Sequence, residues 1–320
     1  MHIDIELTDA DLRQSLRADA RAGLTAPAKW LPPKWFYDKY GSELFERITE
    51  LPEYYPTRAE RAALTAHASD IAGITGARTL IELGSGSSEK TRLLLDALRR
   101  HGSLDRFVPL DVAEAALRDA AAAIERDYPG LPVHAIVGDF TRHLDRIPAG
   151  PDRLVAFLGG TIGNLVPSER AVFLATLRRV LGPGNWLLLG TDLVKDRGTL
   201  VAAYDDSQGV TAEFNRNVLH VLNRQLGADF DPAAFDHVAH WDTDQEWIEM
   251  RLRARHDMRV QVADLDLTVP FTAGEELRTE VSAKFHRSGV AAELAAAGFE
   301  LAHWWTDPAD RFAVSLSRSR

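Results

Sequence analysis

No cysteine occurs in the 320 residues. That removes disulfides, thiolate zinc sites, iron–sulfur clusters and cysteine nucleophiles together. Lysine is scarce, six against 31 arginines, and no Lys/Arg run offsets the formal net charge of -10. A surface of that sign repels polyanions, so no nucleic-acid partner is expected. Uncharged apolar stretches long enough to cross a bilayer, roughly 18 residues, are also absent. The opening MHIDIELTDADLRQSLRADA is too charged for a secretory signal. A cytoplasmic protein without a membrane partner is therefore expected. Neither internal repeats nor low-complexity segments interrupt the chain, and nothing in it points to more than a monomer.

What is present is ordinary globular material, with 45% hydrophobic and 26% charged residues. The length exceeds one average domain, so two cores, or one core with a large insertion, are expected. Thr8 to Asp11 has the form of a capping box, and Leu12, Leu16 and Ala20 follow at helical spacing. The aromatic, proline-broken stretch WLPPKWFYDKYGSELFERITELPEYYPTRAE comes next, and such a stretch usually folds over something. From about residue 60, apolar strands alternate with helices: TLIEL, KTRLLLDALRR, RFVPLDV, EAALRDAAAAIERD, VHAIVGDF, LVAFLGGTIGN, SERAVFLATLRRVL and WLLLGTDLV. Strands apolar on both faces and separated by helices predict a doubly wound α/β domain. After Lys195 the rhythm changes. Residues 197 to 227 read as helix, and EWIEMRLRARHDMRVQVADLDLTV and LRTEVSAKF alternate with period two, which predicts an inserted α+β unit. Helix GVAAELAAAG and two strands around an Asp-Pro turn then close the sheet with a hairpin.

The segment LIELGSGSSEKT, residues 80 to 91, is a strand running into a glycine turn. A Walker A loop needs a second glycine where Glu89 stands, and the dinucleotide fingerprint fails at the same position. A carboxylate among phosphates is repulsive, which disfavours both anionic ligands. S-adenosylmethionine carries no phosphate, and the Glu82-x-Gly84-Ser85-Gly86 turn suits it, because glycine lets the backbone approach the methionine portion closely. Asp111 ends the next strand, where an acid accepts ribose hydroxyls, and Asp139-Phe140 ends the third, offering an acceptor and an apolar wall to adenine. Lys90 follows the turn directly, placed either to anchor the cofactor carboxylate or simply to start the helix.

LPPKWFYD, LPEYYPTR, ELGSGSSEKTR, GDF, FLGGTIGNL, GTDLVKD, AYDDSQGVTAEFNRNVL, WIEMRLRA and TEVSAKF together resemble the histidine-specific, S-adenosylmethionine-dependent Nα-methyltransferases of ergothioneine biosynthesis. These blocks run from about residue 23 to the C-terminus. The resemblance implies a class I methyltransferase (Rossmann-like) domain at residues 60–194 and 285–320, with a substrate-binding cap at 1–59 and 195–284. It implies conversion of L-histidine to its trimethylated betaine, hercynine. Gly84, Lys90, Asp111, Asp139 and Phe140 fall on the family's cofactor positions. Tyr54, Asn164 and Tyr204 fall on positions that hold the substrate amino-acid backbone, and Glu280 and Ser282 on those that bond the imidazole. Tyr37, Phe45, Gly159, Thr161 and Met250 match further lining positions, and Gly160 departs from the family pattern, which has Ser there.

The chemistry of these residues is consistent with that role. Glu280 and Ser282 are two apart on an alternating strand, so both reach one face and can bracket a ring with two nitrogens. Methyl transfer is an in-line displacement, for which the protein must chiefly align donor and amine and exclude water. The nucleophile is the neutral amine. No dedicated base is assigned, and a water or a tyrosine hydroxyl is the expected proton acceptor. Aromatic faces can accommodate the growing cation. His237 and His240 are three apart in a strand and point to opposite faces, so no metal site is expected, and Trp304-Trp305 reads as packing. Three alternatives remain open on sequence alone. One is another amino acid or small amine as substrate, the second a silent cofactor-binding module, and the most distant a nicotinamide- or ATP-dependent enzyme.

Overall fold

The computed structural model describes residues 1–86 and 88–320. The chain opens with β1 (His2–Ile5), α1 (Asp9–Leu24), β2 (Lys29–Trp30), α2 (Lys39–Glu50) and α3 (Pro56–Thr75). Strand and helix then alternate through β3 (Thr79–Leu83), α4 (Thr91–His101), β4 (Arg106–Asp111), α5 (Glu114–Asp127), β5 (His134–Val137), β6 (Arg153–Phe157), α6 (Pro167–Leu181) and β7 (Trp186–Asp192). Next come α7 (Arg197–Ala202), α8 (Val210–Leu226) and the strands β8 (Phe235–Asp242), β9 (Trp247–Ala254), β10 (Met258–Val262), β11 (Leu267–Phe271) and β12 (Glu276–Ala283). The chain ends through α9 (Arg287–Ala296), β13 (Phe299–Thr306) and β14 (Phe312–Ser319).

These elements form two compact units. The first comprises Met1–Leu7, Pro56–Val194 and Lys284–Arg320, and the second Thr8–Tyr55 and Lys195–Ala283. In the first, eight strands lie in the order β1-β5-β4-β3-β6-β7-β14-β13. Pairing is parallel from β1 through β7 and antiparallel for the closing β13/β14 hairpin. The chain winds outward from β3 to β5 and then returns to β6 on the other side of β3. That reversal is the topological switch point of doubly wound folds, where ligands bind at the carboxyl ends of the strands. Leu80, Phe107, Ala135, Leu154 and Leu188 of the sheet pack with Leu64 and Ile71 of α3 and Leu94 and Leu98 of α4 in one buried core. The α4 helix stops at Gly102, whose φ of 81° supplies the left-handed cap that a side chain resists.

One strand was not anticipated. His2–Ile5 adds to the sheet in parallel with β5, so the first residues belong with the sheet unit although they were expected with the cap. Polar and apolar residues alternate from His2 to Leu7, the period of a half-buried strand. The capping box is present, with Thr8 Oγ1 accepting from Asp11 N and Asp11 returning the bond to Thr8 N.

The second unit contains a four-stranded sheet ordered β2-β12-β9-β8 and the separate hairpin β10-β11. The helix expected over 197–227 is two helices. Asp206 accepts the backbone N–H groups of Gln208, Val210 and Thr211, and Gly209, at φ 72°, caps α8. The strand expected through GGTIGN also ends early: β6 stops at Phe157, and Thr161–Asn164 is a 3-10 turn entered through Gly160 at φ 70°. Among the described residues, no helix is long and apolar enough to cross a membrane.

Candidate active site

Because β3, β4 and β5 are parallel neighbours, their carboxyl ends share one edge of the sheet. The turn after β3 is tied to β4 by Gly84 N donating to Leu110 O at 2.8 Å. Asp111 ends β4 and accepts from Gly86 N and Ala113 N, each at 2.9 Å. Burial pushes the Asp111 carboxyl above the usual range, and those N–H bonds pull the other way. A carboxylate offers about four acceptor directions, so capacity for hydroxyl donors remains. Asp139 accepts from Thr141 N at 2.8 Å and Thr141 Oγ1 at 2.6 Å. Next to it, the Phe140 ring stands edge-on to Phe157 at 5.0 Å, and a Cβ on Gly84 would lie 3.9 Å from Phe140 Cε1. Gly84, at φ 66°, therefore lies close beside the Phe140 ring. Ser85 Oγ is buried without a hydrogen-bond partner among the described residues. A donor left in that position fits a polar ligand.

Beneath the turn, Glu82 is buried and receives the hydroxyls of Ser88, at 2.7 Å, and Thr91. Burial raises its carboxyl from 4.5 to about 7. Glu89, the carboxylate expected to repel phosphate, is instead exposed and paired with Arg61 at 3.3 Å. Its charge does not enter the turn. What does disfavour phosphate is closer: the Gly86 amide is already committed to the Asp111 carboxylate. Ser87 lies outside the described residues.

A second group in this unit was missed in the sequence. Glu60 of α3 is fully buried, pairs with Lys90 and accepts the Gly159 N–H. Lys90 is thus engaged by a carboxylate. Its recognisable signal is an acid among Ala59, Ala63 and Leu64 on the buried side of α3. Beyond Gly159, Thr161 Oγ1 donates to Leu158 O at 3.0 Å and Asn164 closes the 3-10 turn.

In the second unit, the structure gathers Tyr37, Phe45, Tyr54, Tyr204 and Ser282. Tyr37 and Phe45 rings lie 5.5 Å apart, Phe45 and Tyr54 6.1 Å, and Tyr54 and Tyr204 6.4 Å, all edge-on. Tyr204 Oη and Ser282 Oγ share a hydrogen bond of 2.7 Å. Across the β9/β12 ladder Glu280 stands opposite Met250 and Ser282 opposite Ile248, with an irregularity between Arg278 and Glu280 that sets this register. Cross-strand partners share a face, so Met250, Glu280 and Ser282 lie together. His237 serves this cluster from behind. Its Nε2 donates to Tyr204 O and its Nδ1 accepts from Asn215 Nδ2, both at 2.8 Å, and Asn215 Oδ1 accepts from Thr279 Oγ1 at 2.5 Å. Burial lowers the His237 pKa, which keeps it neutral in this role.

A parallel sheet whose neighbouring strand ends carry a glycine turn and two aspartates has the layout of a nucleoside-binding doubly wound enzyme. Residues 16–319 match the family described as histidine-specific methyltransferase, SAM-dependent. The chain belongs to that family. It is 60% identical to a histidine N-alpha-methyltransferase of Mycolicibacterium smegmatis over 95% of both chains. It is also 59% identical to one of Mycobacterium tuberculosis, over 95% of this chain and 94% of that one. Among solved structures, the CcbJ methyltransferase of Streptomyces caelestis is 15% identical, with 88% of this chain and 99% of that one covered and a TM-score of 0.46.

Proposed function

We propose that the chain transfers methyl groups from S-adenosylmethionine to the α-amine of L-histidine, ending at hercynine, the first step of ergothioneine synthesis. The observation that carries the substrate is the shared face of Glu280 and Ser282 beside Met250, with Ser282 bonded to Tyr204. A carboxylate accepting from one imidazole nitrogen and a hydroxyl serving the other distinguish histidine from an apolar amino acid of similar size. Tyr54, Tyr204 and Asn164 are assigned to the amino-acid backbone, and Tyr37, Phe45, Gly159, Thr161 and Met250 to the lining.

The cofactor supplies a methyl group on a sulfonium. Gly84, Ser85, Gly86, Lys90, Asp111, Asp139 and Phe140 are assigned to holding it, supported by the closeness of Gly84 to Phe140, the Ser85 hydroxyl without a partner among the described residues and the remaining acceptor capacity of Asp111. On this reading the assigned cofactor residues belong to the sheet unit, and Tyr37, Phe45, Tyr54, Tyr204, Met250, Glu280 and Ser282 to the second unit. The chain's own task is alignment of the neutral amine and exclusion of water. The Tyr54 and Tyr204 rings suit a substrate nitrogen that ends as a quaternary cation. Calorimetric titration with L-histidine and L-leucine tests the assignment. Wild type is expected to prefer histidine, and Glu280→Ala to lose about ten- to a hundredfold in histidine affinity. Unchanged histidine affinity in that variant transfers the reading to another amine.

A further inference from the structure

We infer that Glu60 is a positioning residue that locks Lys90 and the Gly159 turn into one piece, an inference resting on the cofactor and substrate roles proposed for those segments. Glu60 has no solvent exposure. Both of its carboxylate oxygens accept the Gly159 N–H, at 2.8 and 2.9 Å, and one of them pairs with the Lys90 ammonium. The space for this carboxylate is made by Gly190 of β7, where a Cβ would come 2.1 Å from Glu60 Oε1. A buried carboxylate persists as an anion only when paired and hydrogen-bonded. Here both partners are segments with a proposed job: Lys90 follows the glycine turn, and Gly159 leads into Thr161–Asn164. A lysine stem has several rotatable bonds, and ordering it ahead of ligand binding lowers the entropy lost on association. Through Glu60, the position of the Lys90 ammonium and that of the Asn164 turn are set together.

The test measures calorimetric Kd for S-adenosylmethionine and KM for histidine in wild type, Glu60→Gln, Lys90→Met and the double variant. Glu60→Gln is expected to weaken the cofactor about tenfold and to raise the histidine KM as well, the loss of a charge-assisted hydrogen bond. In the Lys90→Met background the same change is expected to weaken the cofactor by less than about twofold, because Glu60 acts on the cofactor through Lys90. Gly190→Ala, which keeps the carboxylate but displaces it, is expected to reproduce both losses and keeps the question answerable if Glu60→Gln does not fold. Fully additive losses in the double variant, or unchanged binding in Glu60→Gln and Gly190→Ala, overturn the positioning role alone. Failure of the wild type to bind S-adenosylmethionine overturns the cofactor assignment and this inference with it.

Discussion

Replacing Glu82 with Gln is expected to stabilise the protein above neutral pH. The carboxyl is buried beneath the glycine turn and its pKa stands at about 7 against an ordinary 4.5. Between those values the folded state keeps a proton that the unfolded state has released, so stability falls as pH rises, by about 1.4 kcal/mol per pH unit at the steepest. Below pH 4.5 both states are protonated and nothing is lost. Above about 7 the full penalty is present, about 3 kcal/mol for a shift of this size. Glutamine mimics the protonated acid: its carbonyl accepts one of the hydroxyls of Ser88 and Thr91 and its amide donates to the other. Urea unfolding of both proteins from pH 5 to 8.5 measures the difference directly. The curves are expected to lie close together at pH 5 and to separate in favour of Glu82→Gln by about 2 to 3 kcal/mol at pH 8. A difference that stays constant across that range, or a variant less stable at pH 8, refutes the assignment of a buried, proton-holding Glu82.

His237 imposes the opposite dependence. Its pKa is lowered by burial from 6.5, so its contribution is complete above 6.5 and declines as pH falls below it. His237→Phe is expected to abolish that decline while lowering the unfolding free energy at pH 7.5 by about 1 to 3 kcal/mol, through loss of the His237 bonds to the Tyr204 carbonyl and the Asn215 amide. Lys284 and Asp192 form a buried pair at 3.0 Å, and Lys284→Met is expected to lower stability by about 3 to 5 kcal/mol, with Lys284→Met/Asp192→Leu recovering much of the loss in a thermal melt. Gly160→Ser places a side chain at φ 70° and 3.5 Å from the Phe312 ring; a drop in stability of about 1 kcal/mol is expected with the histidine KM little changed.

The sheet was legible because its strands are apolar on both faces and end in residues with chemical character. Leu83 runs into Gly84, and Asp111 and Asp139 mark the next two ends, so adjacency in the sheet turns three separate signals into one edge. Glu82 was legible as a residue and not as a buried acid, since its burial comes from α4 folding over it through Thr91. Glu89 was misjudged for the converse reason: position in a turn does not say which way a side chain points, and Arg61 of α3 draws it outward. Glu60 was readable as an acid on the apolar side of α3, but its role was not, because its partners Lys90 and Gly159 are remote in sequence. The break at 203–209 was readable in principle, as DDSQG holds an Asx acceptor and a glycine, but the flanking helical periodicity outweighed it. His2–Ile5 carries the alternation of a strand, but in so short a run that only pairing with β5 fixes its place.

The most direct measurement is mass spectrometry of the products formed when the purified protein is incubated with S-adenosylmethionine and an equimolar mixture of the proteinogenic amino acids. Histidine is expected to leave the mixture as a product carrying three added methyl groups on its α-nitrogen, with the other amino acids unaltered. Methylation of a different amino acid, of an imidazole nitrogen, or of nothing in the mixture contradicts the account.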